Sequence, residues 1–496
     1  MTAHSKATVP ADIRHLPAAE RSGHIGVVHL GLGAFHRAHQ AVYLERFRQH
    51  SGDPQWGICS ANLRSNHALV DQLRATDGRY HVAEYTDSSR VLVREVGTIE
   101  EVLFTGQDDS GIWGRDLDQL LHRLAHPDTR IVTLTVTEKG YFLNPADGAL
   151  LTEHALIRHD MTHPEQPRTA PGLLVAALAA RRAAGVAPFA VLSCDNMPAN
   201  GERAQGAVVR LAAQTDPELA QWIEQQVAFP SSMVDRIVPA MTAADFERLS
   251  SLRLDDPSAV IGEAFAQWVI EDRFPAGRPQ WESVGVEMVP DVAPFETMKL
   301  RMLNGSHSLL AYLGALHGVE TVYDAVCQPG FRALLRHYMG AEAAPTLDVP
   351  AGVDLTHYCE DLLQRFANDS LQHRLHQIAM DGSQKLPQRW LYGALEQLAA
   401  GRSIRATALG VAAWMRYTRG TDLQGQPFAI SDPMAETLQD LHRTHQDGPS
   451  LVRAFLALEA VVPPALARQE VFRAAVQQAF QDLETQSLDE LLAAFL

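Results

Sequence analysis

Residues 1–290 alternate short, β-branched apolar runs with helix-period segments, whereas residues 291–496 carry almost no such runs. Strand–helix–strand alternation demands crossover connections, and crossovers demand a largely parallel sheet with helices on its faces. The candidate strands are IGVVHLG at 25–31, GICSANL at 57–63, IVTLTV at 131–136 and FAVLSC at 189–194. Helical patterns fall between them, at 36–50, 66–75, 115–125 and 172–184. Beyond 291 the helix period runs through 296–317, 330–340, 358–380, 387–400, 404–418 and 451–493. The predicted fold class is therefore α/β: a parallel-sheet domain over 1–290 and a mostly helical domain over 291–496. The Pro/Gly-rich stretch 274–296 is the crossing between them.

Composition removes several function classes. Of the 496 residues, 59 are acidic and 42 basic, a formal charge of −17, which argues against a nucleic-acid partner and means that an anionic substrate needs local cations. No stretch has the roughly 20 apolar residues of a bilayer span, and the first residues, MTAHSKATVPADIRHLPAAERSG, lack the apolar run of a signal peptide. Cys59, Cys194, Cys327 and Cys359 are scattered, without CxxC or zinc-ligand spacing, so they read as reduced thiols of a cytoplasmic protein. Despite 22 histidines there is no HExxH, and no metal site is expected. The sequence does not fix an oligomeric state.

The first strand runs into Gly31-Leu-Gly33-Ala34-Phe35-His36-Arg37, a GxG turn ahead of a helix. In that context glycines admit a phosphate close to the backbone and the helix start offers unpaired N–H groups. His36 stands where GxGxxG has its third glycine. The second strand should end near the carboxylate that would hold the adenosine ribose of NAD; Asn62, Arg64 and Asn66 stand there with Asp71 further on, and Arg64 suits a 2′-phosphate or a plain exposed loop equally, so NAD and NADP both stay open. Glu138, Lys139, Asp195 and Asn196 follow the later strands, at the sheet edge where α/β folds bind ligands. Such residues also serve as plain turn formers.

The window Lys299-Leu-Arg-Met-Leu-Asn304-Gly-Ser-His307 sets an amine, an amide and an imidazole on a predicted helix. At about 100° per residue, Asn304 lies roughly 140° and His307 roughly 80° around the axis from Lys299. Leu300, Met302 and Leu303 are apolar, and an apolar wall lowers a lysine's pKa toward the range of a usable proton acceptor. An ordinary amphipathic helix with a solvated lysine has the same spacing. Glu296 precedes Lys299 by three residues and is within side-chain reach.

Together the segments VVHLGLGAFHRAHQAVY, TLTVTEKGY, LSCDNMPANG, FPSSMVDRIVP, KLRMLNGSHSLLAYLG and MDGSQKLPQRW resemble, in order, the polyol-specific long-chain dehydrogenases, the mannitol dehydrogenase family. The resemblance implies a Rossmann-type NAD-binding domain and a helical substrate domain. It further implies zinc-independent, NAD-linked interconversion of a secondary alcohol and a ketose, with a small sugar acid or polyol as partner. In its terms Lys299 is the general acid/base, Asn304, His307 and Asn196 hold the reacting oxygen, and Glu296 relays protons. Gly31, Gly33, Ala34, Phe35, Arg37, Glu138 and Asp195 fall on the cofactor side. Lys385 matches a substrate-binding lysine, and Arg374 and Arg389 are further cations for a carboxylate. Asp235 and Arg236 read as a structural pair. TVTEKGY and ALGVAAWMRYTRG at 408–420 are most similar to the fructuronate reductase (D-mannonate oxidoreductase) branch. Mannitol dehydrogenases tend to have glycine at the place of Lys139, so Lys139 is expected to meet a uronate carboxylate. The alternatives are a hexitol 2-dehydrogenase and a non-catalytic NAD sensor; a sensor has no need of Lys299.

Overall fold

The computed structural model describes residues 10–144, 147–371 and 373–496. The chain forms two compact units, one up to Ala293 and the other Pro294–Leu496.

In the N-terminal unit the main sheet has five parallel strands: β1 (Ile25–Leu30), β2 (Gly57–Asn62), β3 (Ile99–Phe104), β4 (Ile131–Leu134) and β5 (Ala190–Ser193). Their spatial order is β3-β2-β1-β4-β5, the order of a Rossmann sheet, which reverses direction on either side of β1. Leu30 lies opposite both Ala61 and Leu134, and Leu134 opposite Ser193. The residues that follow these strands therefore leave the sheet at one edge. Every residue of β1 is buried, as expected for a strand covered on both faces. Val28 and Leu30 pack with Leu173 and Leu178 on one face, and Val27 packs with Tyr43 and Trp268 on the other.

β3 was not among the predicted strands. Its start carries Glu100 and Glu101, which break the apolar pattern; Glu100 pairs with Arg48 at 2.9 Å, both side chains 3% exposed, and Glu101 pairs with Arg123 at 2.6 Å. Two further sheets also depart from the simple parallel reading. Tyr80–Asp87 and Arg90–Val96 form an antiparallel hairpin flanked by Asp12–Leu16 and Val260–Glu263. A three-stranded sheet joins Ser232–Asp235, Gln267–Glu271 and Glu287–Val289. Arg236 pairs with Glu84 at 3.0 Å rather than with Asp235, and so binds the strand end at 235 to the hairpin. The helix predicted at 36–50 breaks at His39, giving Ala34–Ala38 and Gln40–Ser51.

The C-terminal unit is helical. Two predicted helices are interrupted by local chemistry. The 358–380 segment stops at Phe366 and resumes at Leu375, where Ser370 donates from its N–H and hydroxyl to the Asn368 side chain in a tight turn. The 451–493 segment is cut by Pro463-Pro464 and by the Ser487/Glu490 capping box.

Three π-helical turns, Lys299–Asn304, Tyr338–Ala343 and Pro387–Leu391, meet through side chains. A π-turn displaces the i→i+4 ladder and leaves carbonyls to be satisfied from outside the helix. Around the first turn, the Tyr338 hydroxyl donates to the Arg301 carbonyl (2.7 Å), Arg389 to that of Asn304 (3.3 Å) and the Trp390 indole to that of Gly305 (3.1 Å). Gly305 permits this approach, because a Cβ there would lie 2.1 Å from the Tyr338 hydroxyl. Gly305→Ala is expected to cost about 1–3 kcal/mol by overpacking, and Tyr338→Phe about 1–2 kcal/mol through the lost hydrogen bond. In urea unfolding the double variant should be less destabilised than the sum of the two. Strict additivity would show that the contact does not restrain the turn.

Candidate functional site

At the edge where the Rossmann strands end, β1 and β4 are the neighbours at which the strand order reverses, the usual ligand position in such sheets. Gly31 has φ +108°, and a Cβ on it would sit 2.1 Å from the carbonyl oxygen of Thr135. Only glycine fits this conformation and this gap. The Thr135 hydroxyl donates to the Gly31 carbonyl at 2.7 Å. The His29 ring lies 2.8 Å from Thr133 Oγ1 through Nδ1, and 2.9 Å from Thr135 Oγ1 and 3.1 Å from the Gly31 carbonyl through Nε2. With the Thr135 proton used on Gly31, this pattern assigns the Nε2–H tautomer to His29.

His36 stacks on His29 with ring centroids 3.4 Å apart and planes 6° from parallel, its Nε2 3.0 Å from Ser60 Oγ. The place of the third glycine is thus filled by an imidazole that packs helix on strand through its face. Both rings are fully buried, and burial pushes the His29 pKa down to about 3. His36 is driven well below its ordinary value by burial first, then by the charges of His29 and Arg37.

A cavity of about 370 Å³ opens beside this turn, lined by Gly31, Gly33, Asn62, Arg64, Thr135 and Arg168 among others. The glycine cradle, the reversal point and the cavity together fit a dinucleotide. Ala34 and Phe35 open the short helix after Gly33, and Phe35 stacks on His39 at 5.0 Å. Arg37 turns inward: its guanidinium donates to the carbonyls of Gly33 (3.3 Å) and Ser258 and lies over Tyr80. It holds the glycine turn rather than presenting a free charge. Glu138 is exposed and pairs with Arg203 at 3.2 Å, while Lys139 and Asn196 are exposed in the loops after β4 and β5.

Asp195 is buried and committed to the loop after β4. It accepts from the N–H groups of Val136 (3.2 Å) and Thr137 (2.8 Å) and from the Tyr141 hydroxyl (2.7 Å). Thr137 sits at φ +65°, a strained conformation for a β-branched residue, and these bonds hold it there. Burial raises the Asp195 pKa, partly opposed by the same donors. Asn200 is a positioning residue that the sequence did not single out: its amide donates to the carbonyls of Asp195 and Ser232 and accepts from the Ser232 N–H. NG after a strand end carries no signal that separates this from an ordinary turn.

In the C-terminal unit Lys299, Asn304 and His307 are each 6% exposed, among buried Met302 and Leu303. The π-turn changes the angular expectation. Its i→i+5 closure brings residues five apart into near alignment, so Asn304 stands one turn along from Lys299 rather than far around the axis. Glu296 lies in the preceding helix Ala293–Met298. His307 packs against Phe366 (4.7 Å between centroids) and edge-on to His373 (5.3 Å). Its pKa falls well below the ordinary value, through burial and then the charges of His373, Arg389, Arg365 and Lys299. His307 Nε2 is buried with no hydrogen-bond partner among the described residues, the mark of a group awaiting a ligand or water. His373, pushed down to about 4 by burial, was absent from the sequence reading because a lone histidine in a helix break has no periodic signature.

Arg389 donates to Ser308 Oγ at 2.8 Å as well as to Asn304, which fixes it against the π-turn. Burial brings its pKa down to about 10. Lys385 donates to the Met380 carbonyl at 2.6 Å, and burial followed by the Arg389 charge pushes it down to about 8. Arg374 is exposed at the start of the helix Leu375–Ile378.

Comparison with known proteins places these features in context. Residues 25–283 match the Mannitol dehydrogenase Rossmann domain and residues 291–484 the Mannitol dehydrogenase C-terminal domain. D-mannonate oxidoreductase of Escherichia coli (strain K12) is 46% identical over 94% of this chain and 95% of its own. Mannitol 2-dehydrogenase of Phaeosphaeria nodorum is 40% identical over 86% of this chain and 74% of its own. Among solved structures, the Pseudomonas fluorescens mannitol 2-dehydrogenase ternary complex with NAD and D-mannitol superposes with a TM-score of 0.84 at 36% identity, covering 97% of this chain and 96% of that one.

The stacked imidazoles make stability depend on pH. Above pH 6.5 they are neutral in the folded and unfolded chains alike; below it the unfolded chain takes up protons that the buried rings refuse. Unfolding free energy should therefore fall with pH by about 1.4 kcal/mol per unit for each ring between pH 6.5 and 5. Buried Asp160 and Asp195, whose pKa values are raised, act with the opposite sign only nearer their own range. Urea titrations at pH 7, 6 and 5 should show the loss, and His29→Gln should flatten it; an equal slope in that variant would remove His29 from the account.

Proposed function

The chain belongs to the mannitol dehydrogenase family and is an oxidoreductase, and from that premise we propose that it interconverts D-fructuronate and D-mannonate with NAD(H). The observation that carries the sugar-acid reading is Arg389 with Lys385. Both cations are desolvated, the Arg389 charge lowers the Lys385 pKa further, and neither has a carboxylate within ion-pair distance among the described residues. A bound carboxylate repays that arrangement, since a desolvated guanidinium gains most from a charge-assisted, bidentate partner. A hexitol offers no such charge. Lys139, exposed in the loop after β4, is the cation that the family resemblance assigns to a uronate carboxylate.

The dinucleotide, when bound, supplies or receives the hydride. Reduction of the ketone builds negative charge on its oxygen, and Lys299 delivers the proton that quenches it; oxidation returns the proton to neutral Lys299. Asn304, one π-turn along, donates an N–H to the same oxygen as charge develops, and Asn196 is assigned as a second amide donor. His307 is held neutral by its surroundings, so it offers one N–H and one lone pair and orients a substrate hydroxyl. Glu296 passes protons between Lys299 and solvent.

NADH oxidation with D-fructuronate and D-fructose offered separately tests the substrate. We expect kcat/KM for fructuronate to exceed that for fructose by about 100-fold, the scale of a desolvated charge pair; a preference for fructose would give the hexitol reading instead. Arg389→Gln should lower kcat/KM for both sugars but for fructuronate by about tenfold or more beyond its effect on fructose. Lys299→Ala should lower kcat by about 10²–10⁴ with dinucleotide binding retained; near-normal turnover would show that another group carries the proton, and no turnover by the unaltered chain on either sugar would favour a sensor.

A further inference from the structure

The cavity beside the glycine turn carries a charge pattern that bears on which dinucleotide it takes. A Rossmann site that selects NAD sets a carboxylate at the end of its second strand, where it chelates the ribose hydroxyls and repels a 2′-phosphate. Here β2 ends at Asn62, and no Asp or Glu is among the residues that line the cavity. The two charged residues that line it are Arg64 and Arg168.

Both guanidiniums are uncommitted to carboxylates among the described residues. Arg64 is exposed at the strand end. The Arg168 guanidinium lies 4.8 Å over Trp113. The acids nearby are engaged elsewhere. Asp160 accepts from the backbone N–H groups of Arg168 and Thr169 and from the Thr169 hydroxyl. Asp71 pairs with Arg115, and Asp116 with Arg74. The loop that presents Arg64 is shaped locally: the Asn62 amide donates to the Ser65 carbonyl at 2.6 Å, and Asn66 takes φ +65°. The strand end therefore offers a cation and neutral amides where an NAD-selective site offers an anion.

We propose that this cavity accepts NADP(H) alongside NAD(H), with Arg64 meeting the 2′-phosphate and Arg168 adding a second positive charge. The proposal rests on the dinucleotide reading of the Rossmann unit, but not on the identity of the sugar. A 2′-phosphate brings a charge of about −1.5 to −2, and an arginine without a carboxylate partner is the side chain best suited to it. The acidic chain as a whole does not forbid this, because surface charges more than about 8–10 Å away are largely screened at physiological salt.

The test is binding to the full-length chain, read by the fluorescence of the reduced dinucleotides without any sugar present. NADPH should bind with a Kd equal to or below that of NADH, and its affinity should fall more steeply with added salt. Arg64→Ala should shift the NADPH/NADH ratio of Kd values by about tenfold toward NADH, the size of one lost charge-assisted contact. Asn62→Asp, which restores an anion at the strand end, should shift the ratio in the same direction. An NADPH Kd more than about 30-fold above that of NADH, or an Arg64→Ala variant that leaves the ratio unchanged, overturns the proposal. Binding of neither dinucleotide would instead overturn the Rossmann reading on which the proposed function also stands, whereas NADPH binding without turnover of either sugar would leave this inference intact and sink only the substrate assignment.

Discussion

The contact on which the N-terminal unit depends is the one between Gly31 and the carbonyl of Thr135. A parallel sheet whose order reverses at β1 sends the chains leaving β1 and β4 past each other at the same edge, with a carbonyl lying where any other residue would have its Cβ. The neighbouring polar groups follow from that closeness. Thr135 and His29 supply the Gly31 carbonyl with donors, His29 needs Thr133 for its other nitrogen, and His36 covers the ring. One strand further, Asp195 catches the backbone of Val136 and Thr137 as it leaves β4. The ligand edge is thus held by side chains reaching from each strand to the loop of its neighbour.

The C-terminal unit meets a related demand in a different way. Its helix changes pitch where Lys299 stands, and the carbonyls freed by that change are claimed by Tyr338, Arg389 and Trp390. The same segments that repair the backbone also set the electrostatics. Arg389 is at once a carbonyl donor and one of the charges that keep His307 neutral. Removing it therefore disturbs geometry and protonation together, which is why its role is best read from the contrast between two sugars rather than from the size of one effect.

Four of the five Rossmann strands were legible in the sequence because each is a continuous apolar run buried on both faces. β3 was hidden by Glu100 and Glu101, whose arginine partners lie far away in sequence. The Lys299 window was legible as chemistry but not as geometry, since a count at about 100° per residue assumes the α pitch and nothing in KLRMLN announces a π-turn. Asp195 was legible as a residue of the ligand edge, yet its task of restraining Thr137 depends on a backbone conformation that no pattern of residue types encodes. The stacked pair His29 and His36 likewise emerges only when a strand and a helix are laid together.

A π-turn is, in effect, one residue more than an α-helix of the same span would hold. Counted that way, the stretch Lys299–Asn304 is a stored insertion that the wider turn absorbs without changing the phase of the helix that follows. Losing one residue of the stretch would let the ladder close as an ordinary α-helix over the same span, with the flanking segments left within about 20° of their present phase. Lys299 and His307 would stay on one side of that helix, while the carbonyls now claimed by Tyr338, Arg389 and Trp390 would turn back into the ladder. In this segment of the protein, chain length itself decides which carbonyls face outward, and homologous helices can be compared for it by counting residues alone.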